Sequence, residues 1–142
     1  MNKKNYWVIG KETLPQHTDH AGVLWHGYYF NWLEEARLDA LSKVGLKYID
    51  LIKYGYEMPV VNIEIKYKSP IFHGDKILIQ SEFLINKSPR INIESNFIGR
   101  NNKIVAFSSI DIVLINKSNF SIVRKKPKFL LDAINKLKEG PK

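Results

Sequence analysis

The sequence predicts an α+β domain in which one long helix packs against an antiparallel sheet. Three observations carry this. Apolar residues recur at helical spacing from Tyr28 to Val44, the period changes to two from Pro59 onward, and a short extended run, Trp7 to Leu14, precedes both. In the helix, Tyr29, Leu33, Ala36, Ala40 and Val44 form the stripe, and Gly45 stops it. Glu34 and Arg37, three apart, can pair on its surface. Lys47 to Tyr54 adds a short helical turn closed by Gly55.

The later strands follow in order. Ile63, Ile65 and Tyr67 alternate with Glu64, Lys66 and Lys68 until Ser69-Pro70 interrupts, and Gly74-Asp75 turns the chain. Ile77, Ile79, Ser81, Phe83 and Ile85 line one face of the next strand. After a turn at Asn86 to Pro89, Ile91, Ile93, Ser95 and Phe97 line another. Arg100-Asn101-Asn102-Lys103 suits a hairpin turn, because Asn tolerates positive φ. Ile104 to Ile115 is apolar on both faces near its end and is expected to be the central strand. Asn116 to Asn119 turns into a short strand, Phe120 to Arg124, and Pro127 opens a last helix ending near Lys138. A sheet covered on one face by a single helix leaves an edge or face for a second subunit, so at least a dimer is expected.

Composition sets the outer limits. The 142 residues suit one domain, 1–142, with a real core. No apolar run reaches the roughly 18 residues of a membrane span. Met1-Asn2-Lys3-Lys4-Asn5 leads into no apolar stretch of a secretory signal. With no cysteine, disulfides, thiolate metal sites and a Cys nucleophile are excluded, and a cytoplasmic location is the default. The net charge of +8 suits an anionic partner, such as nucleic acid, a phosphorylated ligand or a membrane surface. It is spread along the chain apart from Arg124-Lys125-Lys126-Pro127-Lys128, and an A/T-biased genome accounts for it equally well.

The chemistry-bearing segment is Thr18-Asp19-His20-Ala21-Gly22-Val23-Leu24-Trp25-His26-Gly27, which runs into the long helix. A helix start offers unpaired backbone N–H groups and the positive end of a dipole. A carboxylate beside such donors can attack a carbonyl or activate water while the donors hold the developing oxyanion. Asp19 alone reads as a turn or capping residue; its setting makes it a catalytic candidate. His26 reads either as a site residue or as a capping His. His17 and His20 read as loop residues, and their spacing with His26 fits no familiar metal site.

This segment, followed by Tyr28-Tyr29 and Trp32-Leu33-Glu34-Glu35-Ala36-Arg37, resembles the signature of the hotdog-fold acyl-CoA thioesterases. The branch it is most similar to holds 4-hydroxybenzoyl-CoA thioesterase and the Tol-Pal-associated thioesterases. Gly45-Leu46, Tyr67-Lys68-Ser69-Pro70 with Gly74-Asp75, and Ser109 to Leu114 are further echoes. The resemblance implies a sheet wrapped around the long helix, a homodimer or homotetramer, and active sites at the subunit interface. It implies catalysis by Asp19, with an oxyanion donor at or beside His26, whose ring also belongs to the site in the Tol-Pal-like branch. Many members carry Asn where this chain has Tyr28, a departure that bears on the helix start and acyl pocket.

The reaction so implied is hydrolysis of a CoA thioester, with Asp19 as nucleophile or general base. CoA is part of the substrate, so no separate cofactor and no metal are expected. The resemblance also places Lys87, Ser88 and Arg90 in a CoA-contacting turn, with Arg124 and Lys125 as second-choice phosphate contacts. Trp25, Tyr28 and Tyr29 are candidates for an acyl pocket, and equally for core or interface. The expected partner is an acyl-CoA, with no nucleic acid and no membrane. The alternatives are an acyl-carrier-protein thioesterase, and a non-catalytic nucleic-acid-binding or scaffold protein using the basic surface. A hotdog dehydratase is disfavoured, since no His with an acidic partner is set on the long helix in that arrangement.

Overall fold

The computed structural model describes residues 4–142; Met1–Lys3, part of the segment read for a secretory signal, lie outside the described residues. The elements in chain order are β1 (Trp7–Glu12), α1 (His26–Lys43), α2 (Tyr48–Lys53), β2 (Tyr56–Glu57), β3 (Val60–Tyr67), β4 (Lys76–Ile85), β5 (Arg90–Ile98), β6 (Ile104–Val113), β7 (Ile115–Asn116) and α3 (Lys128–Glu139). Five strands form one antiparallel sheet in the order β1-β4-β5-β6-β3, and β2 pairs with β7 beside it. Among the described residues, no helix is long and apolar enough to cross a membrane.

The period-two runs set which face of the sheet is buried. Ile77, Ile79, Ser81 and Phe83 of β4, and Ile91, Ile93, Ser95 and Phe97 of β5, all point into the core. Helix α1 lies against this face through Tyr29, Trp32, Leu33, Ala36, Ala40 and Leu41, spaced three and four apart. Its N-terminal half reaches across the sheet, since Tyr29 packs edge-on against Tyr67 of β3 and against Phe97 of β5. Helix α3 buries Leu130, Ala133, Ile134 and Leu137, and the Leu137 carbonyl accepts the indole N–H of Trp7 at 2.9 Å.

Four expectations are corrected. The first strand ends at Glu12 rather than Leu14, because Thr13 turns away to bond Gly74 and Asp75. Phe120 to Arg124 forms no strand. Phe120 adopts a left-handed φ of 58°, and Asn119 accepts hydrogen bonds from the Ser121 backbone N–H and hydroxyl, so only the isolated bridge Ile115–Ile122 remains. Strand β6 is interior, flanked by β5 and β3, but the central strand is β5. Arg37 is no surface residue; it is buried, paired with Glu34, and Nη1 donates to the Met58 carbonyl at 3.0 Å.

Strand β3 lies at the sheet edge with one neighbour, and this explains why its apolar face is poorly covered. Val61, Ile63 and Tyr67 are exposed although they fall at the alternating positions of a core strand.

Arg37 therefore fastens the helix to the chain entering β3. Replacing it with Ala strands the Met58 carbonyl in a buried place, and urea unfolding is expected to show a loss of about 1–3 kcal/mol. A loss under about 0.5 kcal/mol, the range of ordinary surface changes, would show that the contact is not structural.

Candidate active site

Asp19 sits in a three-residue hairpin that its own sequence builds. The Asp19 N–H donates to the Val23 carbonyl at 2.9 Å, and the Gly22 N–H donates to the Asp19 carbonyl at 3.0 Å. Gly22 supplies the φ of +80° that closes the turn, a conformation L side chains rarely adopt. The Asp19 carboxylate completes it: Oδ1 accepts the Ala21 N–H at 2.8 Å and the Val23 N–H at 3.4 Å. Oδ2 has no hydrogen-bond partner among the described residues.

The hairpin is tied to the loop between β3 and β4. The Leu24 N–H donates to the Ile71 carbonyl at 2.7 Å, and Val23 bridges Phe72. That loop is held by Asp75, which is 6% exposed. Its Oδ2 accepts the Phe72 N–H at 2.8 Å, and its Oδ1 accepts Nε of Arg100 at 2.6 Å. The Asp75 carbonyl also receives the Thr13 N–H at 2.9 Å.

Helix α1 begins at His26, two residues earlier than periodicity suggests, with Trp25 as the capping residue. The Tyr28 N–H bonds back to the Trp25 carbonyl, which leaves the N–H groups of His26 and Gly27 without an intrahelical partner. The Trp25 ring folds back over Gly27, where any Cβ would collide with it. Gly27 is therefore what lets that aromatic ring pack on the helix start.

These parts meet in one open cleft of about 400 Å³, lined by Asp19, Val23, Leu24, His26, Tyr29, Tyr67, Lys68, Ser69 and Pro70. The structure thus brings together Asp19, His26 and Tyr29 from the residues singled out in the sequence. Tyr28 instead packs edge-on against His17, whose Nδ1 accepts the Leu14 N–H. Glu34 and Glu35 hold structural pairs, with Arg37 and with Lys11. The wall Tyr67–Pro70 was not assigned to the site from sequence; it lies some fifty positions from Asp19, and only the fold joins them.

Lys87, Ser88 and Arg90 stand elsewhere. They occupy the β4–β5 turn, at the opposite end of the sheet from the cleft. Seven steps along β5 lead from Arg90 to Phe97, the residue level with Tyr67 through Ala106, which is roughly 24 Å of strand. Arg90 pairs with Asp111, and the Ser88 hydroxyl accepts the Arg90 N–H. Arg124 and Lys125 lie in the segment before α3.

Burial, and then the neighbouring Tyr67, push the Tyr29 phenol up to about 12. Tyr29 is therefore a neutral hydrogen-bond donor at the cleft wall through the physiological range. The unfolded chain releases this proton near pH 10, so the folded state loses stability as pH rises from there toward 12. Melting temperatures of wild type and Tyr29→Phe across that window are expected to show a shallower fall in the variant. Parallel falls would mean that Tyr29 titrates alike in both states.

The comparisons with known proteins agree with this architecture. A 1,4-dihydroxy-2-naphthoyl-CoA hydrolase of Prochlorococcus marinus is 30% identical over 142 aligned residues, covering 89% of this chain and 85% of that one. The structure of a DHNA-CoA thioesterase from Staphylococcus aureus matches with a TM-score of 0.78 at 28% identity, over 85% of this chain and 81% of that one. A 1,4-dihydroxy-2-naphthoyl-CoA thioesterase from Synechocystis shares the fold with a TM-score of 0.84 at 20% identity, over 94% and 98% of the two chains. Residues 13–131 match the family model of the Thioesterase-like superfamily, and the chain belongs to that superfamily as a hotdog-fold thioester hydrolase.

Proposed function

We propose that the chain hydrolyses an aromatic acyl-CoA thioester in this cleft, with Asp19 as nucleophile or general base. The observation that carries the reading is the meeting, on one cleft, of a carboxylate with a free oxygen and the helix start at His26, whose N–H has no intrahelical partner. Across the reaction, the C–S bond breaks, the CoA thiolate leaves and is protonated, and the acyl carbon gains its new oxygen from water. Either Asp19 takes the proton from that water, or it attacks first and water then opens the anhydride. In both routes the N–H of His26, at the helix start, is the donor for the oxyanion. No cofactor is needed in either.

Two observations support an aromatic acyl group. Tyr29 and Tyr67 meet edge-on, 4.9 Å apart, at the wall, with Leu24 and Pro70 beside them. The Prochlorococcus marinus relative acts, by its name, on a naphthoyl thioester. The 4-hydroxybenzoyl-CoA and Tol-Pal-associated branch remains the competing placement on sequence motif.

A homodimer is part of the same reading. The exposed edge of β3 suits antiparallel pairing with a second copy. Such pairing reverses the second sheet and carries the partner subunit's Lys87, Ser88 and Arg90 to the end where this chain's cleft opens. They would then meet CoA across the interface.

Asp19→Asn keeps the hairpin acceptor while removing the charge. Thiol release from a panel of aryl- and alkyl-CoAs is expected to fall at least about 100-fold with an unchanged melting temperature. His26→Ala keeps the backbone N–H and is expected to lose less than about tenfold. Wild-type turnover by Asp19→Asn would sink the mechanism, and acyl-carrier-protein thioesters run alongside identify the other donor class. For the dimer, Ile63→Lys is expected to shift sedimentation toward monomer; an unchanged dimer would place the interface elsewhere.

A further inference from the structure

A second cavity, of about 190 Å³, adjoins the Asp19 cleft and is lined by Ser69, Pro70, Phe72, Asp75, Arg100, Asn101, Lys103 and Val105. Ser69 and Pro70 line both cavities, so one loop separates them. Lys68, the residue before that shared wall, lines the cleft. The rim is thus basic from Lys68 on one side of the loop to Arg100 and Lys103 on the other.

We infer that Lys68, Arg100 and Lys103 form an anion site within a single subunit, holding the phosphate at the far end of the substrate's pantetheine arm. Arg100 is the built part of the site. Its Nε is fixed on the buried Asp75 at 2.6 Å, while the side chain is 70% exposed, leaving the terminal guanidinium nitrogens toward solvent. A guanidinium held in this way has lost little freedom on binding, and two N–H donors match two phosphate oxygens. Asp75 offsets the Arg100 charge, but Lys68 and Lys103 have no carboxylate within ion-pair distance among the described residues, so the rim is net positive. Lys68 and Ser69 both donate backbone N–H groups to the Val105 carbonyl, which fixes the loop between the cavities. By contrast, Arg90 at the other turn is paired to Asp111 and lies a sheet length away.

This inference rests on the thioester reading above, and its test separates the two. The variant Lys103→Ala removes an exposed charge of the second cavity and spares both the cleft-lining Lys68 and the Arg100–Asp75 pair that holds the fold. Three thioesters of one acyl group serve as probes: acyl-CoA, acyl-4′-phosphopantetheine and acyl-pantetheine, the last without phosphate. The variant is expected to raise KM about tenfold for the phosphorylated probes, leave kcat unchanged, and leave acyl-pantetheine untouched. An effect on both phosphorylated probes upholds the inference; an effect on acyl-CoA alone would assign the rim to the nucleotide phosphates and overturn it. Equal effects on all three, or none, overturn the inference. Calorimetric titration with CoA reads the site without turnover: CoA binding about tenfold weaker in the variant than in wild type upholds it even if no thioester is cleaved, and equal binding overturns it.

Discussion

The geometry of the site depends on Asp75. This one buried carboxylate accepts the Phe72 N–H and the Arg100 guanidinium, and its backbone carbonyl receives Thr13. Three separate parts of the chain converge there: the end of β1, the loop after β3 and the turn after β5. A buried carboxylate is costly unless its lone pairs are used, so the loop has few alternative paths. Because the Ile71–Phe72 stretch then grips Val23 and Leu24, the constraint passes directly to the hairpin carrying Asp19.

Asp19 is held in a different way. Its contacts lie within four residues of itself, so its direction is set by local turn chemistry rather than by distant packing. The helix start is intermediate: His26 and Gly27 are placed by α1, and α1 is placed by the core through Tyr29, Trp32 and Leu33. The cleft therefore combines one self-organised carboxylate with a helix start anchored in the core through Tyr29, Trp32 and Leu33, which limits their relative motion.

What was legible in the sequence follows from this division. Asp19 could be read because hairpin, glycine and helix start are contiguous, and the strands from Ile77 to Val113 could be read because burial imposes a period of two. Tyr67 to Pro70 could not be placed at the site, since only sheet closure over α1 brings them to Asp19. Phe120 to Arg124 misled because β-favouring side chains carry no sign of a residue forced to positive φ by the turn before it. Arg37 misled for a related reason: pairing with Glu34 at three-residue spacing looks solvent-facing until the chain before β3 folds over it. The basic residues show the limit most plainly. Charge is visible in sequence, but whether Arg90 or Arg100 borders the cleft depends on which end of the sheet each turn occupies.

The open edge of β3 also bears on how the chain survives its own synthesis. Eight residues, Val60 to Tyr67, display backbone donors and acceptors beside exposed Val61 and Ile63. Such an edge is a template for any extended chain nearby, and the charges of Glu64 and Lys66, with Lys68 just past the strand, are its chief guard against indiscriminate growth into fibres. High salt weakens that guard by screening. The same strand thus sets a colloidal limit on the protein: conditions that silence its three charges should favour precipitation before they loosen the core.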